Sequence, residues 1–197
     1  MPHDVTAVAQ LVLHERQARD RGWWDTMQEG YATDSVVRLS WFRGSGAEFV
    51  EQSRHMAGRG DRAIHRLGPP VVDVRGERAL VELPAAIEVT AEVDGVEAVL
   101  VSHARLLYRA ARAEGRWRIR SLDPVYERDT LTPAIPGTGL SVDMEVLRHY
   151  RVPYRFLAYV LGHRGYTIGD DLFGDDRPDE VARLYENAHL WLGLSDR

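Results

Sequence analysis

The chain changes its hydrophobic period once. Up to about residue 57 apolar positions recur every three to four residues, and from residue 63 they recur every second residue. Val5, Ala9, Val12 and Leu13 mark a first helix over residues 4–21. Trp23–Tyr31 reads as a second short helix, Val36–Phe42 as a strand, and Ala47–Ala57, opened by Ser45-Gly46, as a third helix with Phe49, Val50 and Met56 apolar. Extended segments follow over about 63–74, 78–92, 96–111 and 116–126. They are punctuated by Arg75-Gly76, Asp94-Gly95 and Glu114-Gly115, the residue pairs that suit tight hairpin turns. In the second of them Ala79, Val81, Leu83, Ala85, Ile87 and Val89 alternate with Glu82, Pro84, Glu88 and Thr90, the pattern of an antiparallel strand buried on one face. Helices first and a strand meander afterwards predict an α+β fold, with a curved antiparallel sheet wrapped round the N-terminal helices as a cone-shaped barrel.

The character shifts after Pro133–Gly137. We read residues 1–138 as one domain and 139–197 as a helical C-terminal extension packed on it. Pro153 opens one predicted helix running through Val160. Asp175–Glu180, with acids and a proline in the first turn, opens another. Tyr150, Tyr154, Phe156, Leu157, Tyr159, Val160 and Leu161 are too apolar for a solvated tail. The extension is therefore expected to cover the cavity entrance, with Tyr154 or Tyr159 reaching inside, to cover a neighbouring chain, or to brace the outer helices. The strand 96–111 is apolar on both faces at Val99–Leu107, which predicts a homo-oligomer, a dimer before a trimer.

Composition prunes the chemistry. There is no cysteine, which removes thiolate nucleophiles and disulfides. All 25 basic residues are arginine, so lysine Schiff bases and a Walker lysine are excluded; the usage fits a GC-rich, bacterial genome. The net charge of −5, with arginines scattered, argues against a nucleic-acid partner. No apolar run is long enough for a membrane helix and no secretory leader is evident, which predicts a cytoplasmic protein. No metal-ligand spacing or glycine-rich nucleotide loop occurs, and we expect no metal and no cofactor.

One constellation suggests acid–base work. On the helical wheel Asp20 falls within roughly 20° of Ala9 and Leu13, so its carboxylate faces inward, where it needs a partner. His65 and His103 lie on strand segments. A carboxylate on an imidazole fixes the tautomer and stabilises the imidazolium, freeing the other ring nitrogen to take a proton. The alternative is that Asp20 caps its helix or pairs with Arg62 or Arg66, with His65 a satisfied core residue. His103 shares a strand face with Val101, Arg105 and Leu107. His103 and Arg105 either bind a developing anion or face outward on the convex side of the sheet. Trp24, Tyr31 and Trp41 are candidate substrate-contacting aromatics.

Asp20-Arg21-Gly22-Trp23-Trp24-Asp25, Tyr31–Asp34, the strand to Phe42, His65–Gly68, Val72–Ala79 and Gly115–Ile119 follow one another in an order that resembles the SnoaL-like branch of the nuclear transport factor 2-like superfamily, over about residues 5–125. The resemblance implies a cone with an internal cavity. In dehydratase and dehydrochlorinase members an aspartate on the first helix and a histidine opening a strand carry the chemistry, and Asp20 and His65 match those positions. A second histidine of the dehydratase corresponds here to Val101, one same-face step before His103. Its two water-holding tyrosines correspond to Arg19 and Leu39. The expected function is thus a cofactor-independent dehydratase, isomerase or cyclase acting on a small apolar molecule, with catalytic Asp20, His65 and His103 and substrate contacts at Trp24, Tyr31, Trp41 and Arg105. A non-catalytic binding protein and a structural subunit are the competing readings.

Overall fold

The computed structural model describes residues 2–194. Residues 2–58 are mainly helical, with two strands among the helices: α1 (Pro2–Arg21), α2 (Trp24–Glu29), β1 (Tyr31–Arg38), the two-residue β2 (Arg43–Gly44) and α3 (Gly46–Gly58). Ser45 opens α3 with a reciprocal cap. Its hydroxyl accepts the Glu48 N–H, and the Glu48 carboxylate accepts the Ser45 N–H. Strand β1 starts five residues earlier than the pattern predicts and stops before Leu39, because Tyr31 already pairs with Ile119.

The meander follows: β3 (Ala63–Leu67), β4 (Val71–Arg75), β5 (Arg78–Val93), β6 (Val96–Ala113) and β7 (Arg116–Pro133). The expected single strand over 63–74 is two strands, because Gly68-Pro69-Pro70 supplies only one backbone N–H for a ladder. Strands β5 and β6 are joined through Asp94-Gly95, and β6 and β7 through Glu114-Gly115. Both residues of each pair have positive φ, the condition for a two-residue turn that follows the sheet's twist. The sheet order is β2-β1-β7-β6-β5-β3, with β4 on β5. The β1–β7 pair is parallel and the meander antiparallel. The sheet is curved and does not close, so the cone is an open one.

Helix α1 lies against β3, β4, β5 and β7, so it occupies the concave side. Val8 and Val12 on α1 belong to one buried core with Val81, Leu83, Leu100, Leu106 and Ile119 of the sheet. In β5 the inward residues are the odd ones that the alternation marks. In β6 they are the even ones, Ala98, Leu100, Ala104, Leu106 and Tyr108.

The extension uses both sides of the sheet. After α4 (Met144–Leu147) and a 3-10 turn at Val152–Tyr154, α5 (Arg155–His163) packs into the main core through Leu157, Ala158, Val160 and Leu161. Burying each of the larger side chains contributes roughly 1.5–3 kcal/mol. Strand β8 (Phe173–Gly174) joins β7 in parallel. Helix α6 (Pro178–Leu192) lies on the convex face, where Leu184, Ala188 and Leu192 cover Leu80, Leu107 and Val125. Leu107, part of the apolar surface that suggested an oligomer, is therefore covered from within the chain. Among the described residues no helix is long and apolar enough to cross a membrane.

Candidate active site

Asp20 stands in the last turn of α1 and His65 in the middle of β3. Helix α1 lies across the inner side of β3, so the two meet. His65 Nδ1 is 2.6 Å from Asp20 Oδ1, and the His65 backbone N–H donates to Asp20 Oδ2 at 2.8 Å. The pair is enclosed, with side-chain exposures of 4% for His65 and 16% for Asp20. An ionised carboxylate only accepts, so Nδ1 carries the ring proton and Nε2 holds the lone pair, which Arg16 Nη1 approaches at 3.5 Å. Arg66 pairs with Glu88 on the surface and leaves Asp20 alone.

The charges reinforce that state. Burial pulls the His65 imidazolium down, to about pH 4, with Arg16 and Arg19 acting in the same direction against the pull of Asp20. Burial works to raise the Asp20 carboxyl, but the hydrogen bonds and charge of His65, with Arg19, hold it below its ordinary value. At neutral pH the pair is a carboxylate facing a neutral imidazole.

His65 opens onto a cavity between the sheet, the loop after β1 and α5. Leu39 and Trp41 wall it from the loop after β1, Ile87 and Val89 from β5, Leu106 from β6, and Leu157 and Leu161 from α5. Its polar groups are few: His65, Arg16, Arg19, Ser40 and Tyr126, with Asp61, Arg62 and Arg164 also in its lining. An apolar pocket with a few convergent polar groups and a perturbed titratable one has the form of a small-molecule site.

Behind His65 lies a buried network that the sequence pattern did not reveal. Arg16 and Glu15 are at most 2% exposed. Arg16 Nε donates to Glu15 Oε2 at 2.5 Å and Nη2 to Oε1. The same carboxylate accepts the Tyr31 hydroxyl at 2.8 Å and the Tyr108 hydroxyl at 3.2 Å. Arg16 Nη1 then faces His65 Nε2 at 3.5 Å. Tyr126 was also missed; its hydroxyl accepts the Ser40 N–H at 3.0 Å, and burial pushes it up to about 12. The available signal for Arg16 was its place one turn after Val12 on the buried stripe of α1.

Of the other expected site residues, only Trp41 lines this cavity. Tyr31 is not in its wall; its hydroxyl is spent on Glu15. Trp24 lines an adjoining groove with Asp20, Arg21 and Arg54, which shares Arg19, Met56 and Asp61 with the cavity. His103 and Arg105 are a correction. They lie on the odd, convex side of β6, opposite Leu106, so neither joins Asp20 and His65 as catalyst, anion holder or metal ligand. Arg105 donates to Glu127 at 2.7 Å and to Glu82 at 2.8 Å, and Tyr185 of α6 donates to Glu82, so the cluster ties α6 to the sheet. Tyr154 and Tyr159 do not reach inside. The Tyr154 ring packs at a tilt against Tyr126 with centroids 5.3 Å apart, and Tyr159 accepts the Asp143 N–H.

The chain is 29% identical over 208 residues to a PEP2-like protein of the fungus Fusarium vanettenii, covering 92% of this chain and 87% of that one. That fungal relative lends the expected bacterial source no support. Among solved structures, a type 2 hexachlorocyclohexane dehydrochlorinase superposes with a TM-score of 0.58 at 13% identity, over 68% of this chain and 94% of that one. A protein assigned as a scytalone dehydratase, from Novosphingobium aromaticivorans, superposes with a TM-score of 0.55 at 12% identity, over 69% and 95%. These structural likenesses show the fold. Residues 2–123 match the SnoaL-like domain. With more than half its length in that match, and with the open cone the family resemblance implied, the chain belongs to the SnoaL-like family of the nuclear transport factor 2-like fold.

Proposed function

We propose that the protein is an acid–base enzyme that takes a proton from carbon in a small, largely apolar organic molecule, as a dehydratase, isomerase or cyclase, without a cofactor. The observation that carries this is the Asp20–His65 pair. A neutral imidazole holds its donor nitrogen on a carboxylate at 2.6 Å and presents its lone pair to the cavity beside the Arg16 guanidinium. His65 Nε2 takes the proton, Asp20 stabilises the imidazolium that results, and the same Nε2–H returns the proton to the product or to a leaving group. Positioned general bases of this kind contribute roughly 10²–10⁴-fold. The dehydrochlorinase and dehydratase that share the fold support the reading by the elimination chemistry their names state.

Deuterium exchange tests it without knowledge of the natural substrate. A panel of cyclic ketones such as 2-tetralone is incubated with the protein in D₂O, and loss of the α-proton is followed by NMR. Catalysed exchange with the wild type, falling by roughly 100-fold or more in His65→Asn, is expected. Ketones that bind without exchange would favour the non-catalytic binding reading.

A further inference from the structure

Two guanidinium groups from successive turns of α1 enter this largely apolar cavity beside the base, and their donors are not used alike. Arg16 commits Nε and Nη2 to Glu15, and that carboxylate is held in place by Tyr31 and Tyr108. Nη1 donates to His65 Nε2 itself, at a long 3.5 Å, and carries a second N–H beside the base. Arg19 forms no ion pair among the described residues, and the Asp20 and Glu15 charges act on it only from a distance. Its guanidinium lies over the Trp41 ring at 5.8 Å and the Phe49 ring at 5.9 Å, and Nη2 reaches only the Met56 sulfur, at 3.6 Å. Its Nε is buried with no partner.

A partly buried cation with unspent donors is costly unless an anion reaches it. The arrangement also divides the labour by geometry. Glu15 neutralises Arg16 and fixes its direction, whereas the aromatic rings position Arg19 without consuming its N–H groups. Burial, then the neighbouring Arg16 charge, lowers Arg19 to about 10, so it stays protonated at neutral pH.

We infer that Arg16 Nη1 and Arg19 form an oxyanion site, and that the substrate is a carbonyl compound whose oxygen sits between these guanidinium groups while its apolar body lies against Leu157 and Leu161. This deepens the proposed function and rests on His65 as the base. The step balances within the site. The C–H bond α to the carbonyl breaks, its proton goes to His65 Nε2, and its electron pair forms the C=C bond. The carbonyl π pair moves to oxygen, and that enolate oxygen accepts from Arg16 and Arg19. Donors set in advance where charge develops are worth more in a dry site than in water.

The probe is 4-nitrophenol, whose pKa lies near neutrality and whose absorbance reports whether the bound form is phenol or phenolate. Nitrobenzene serves as the neutral probe of the same shape. The wild type is expected to bind nitrophenolate in preference, lowering the apparent pKa of the bound phenol. In Arg19→Gln the phenolate affinity should fall roughly tenfold or more, while nitrobenzene affinity is kept; Arg19→Lys should recover part of the loss. Retained nitrobenzene binding shows that the variant cavity is intact. Bound phenol with an unshifted pKa, phenolate affinity unchanged in Arg19→Gln, or failure of the wild type to bind either probe would overturn the oxyanion site. If the site fails on those grounds while ketone exchange still depends on His65, the base reading survives without it.

Discussion

Asp129 offers a sharp test of how the extension is held over the cavity. It sits in β7 beneath the start of α5, and its Oδ2 accepts the Leu157 N–H at 2.7 Å. Its Oδ1 is buried and has no partner. Burial raises this carboxyl to about 7, against the pull of the Leu157 and Phe156 N–H groups and of Arg155, from 3.8 in the unfolded chain. About three pH units at 1.36 kcal/mol each make ionisation in the folded state cost about 4 kcal/mol. The sign follows from proton counting. Between pH 3.8 and 7 the folded state holds a proton that the unfolded chain has released, so this contribution to stability is fully present below about pH 4 and is lost as the pH rises through 7. Asp129→Asn keeps an oxygen for the Leu157 N–H and carries no charge. Its amide NH₂ must sit where Oδ1 finds no partner, which offsets part of the gain. We expect the variant to be more stable than wild type at pH 8 by about 2–4 kcal/mol, with the gap closing toward pH 4. Urea denaturation at pH 8 and pH 4.5 measures it. An asparagine variant no more stable than wild type at pH 8, or a gap that ignores pH, would refute the reasoning.

Four further outcomes are expected. Asp20→Asn retains a hydrogen-bond acceptor but loses the charge that stabilises the His65 imidazolium, so ketone exchange should fall roughly 10–100-fold with ligand affinity little changed. As pH falls from 6.5 to about 4 the unfolded chain gains a proton that buried His65 refuses; stability should drop by about 3 kcal/mol over that window, opposite in sign to Asp129, and this component should vanish in His65→Gln when urea midpoints are compared. Tyr31→Phe leaves Glu15 Oε1 one donor short inside the core and should cost about 1–3 kcal/mol in the same assay. Deleting residues 141–197 removes Leu157 and Leu161 from the cavity wall and Leu184, Ala188 and Leu192 from the convex face, so cooperative thermal unfolding followed by circular dichroism should be lost; a melt like that of the full chain would contradict the packing.

The sequence shows some of this directly. The alternation in β5 states which residues face inward because one face is apolar and the other is not. In β6 both faces carry apolar groups, the concave one for the core and the convex one, through Leu107, for α6. Periodicity places His103 and Arg105 together there but does not say on which side; the register against β5 decides that. Asp20 shows up on the wheel because it shares a face with Ala9 and Leu13. Glu15 and Arg16 do not, since a charged pair next to each other in a helix reads as solvated surface until Tyr31 and Tyr108, 16 and 93 residues from Glu15, are brought onto the same carboxylate. Leu157 and Leu161 announce burial but not which surface buries them.

The claim that His65 is a base held ready by Asp20 is tested most directly by ¹⁵N NMR of the imidazole as a function of pH. The account predicts a neutral ring with its proton on Nδ1, unchanged from pH 8 down to about 4, where the protonated form first appears. A ring that titrates near 6.5, or one that carries its proton on Nε2 at neutral pH, would contradict it.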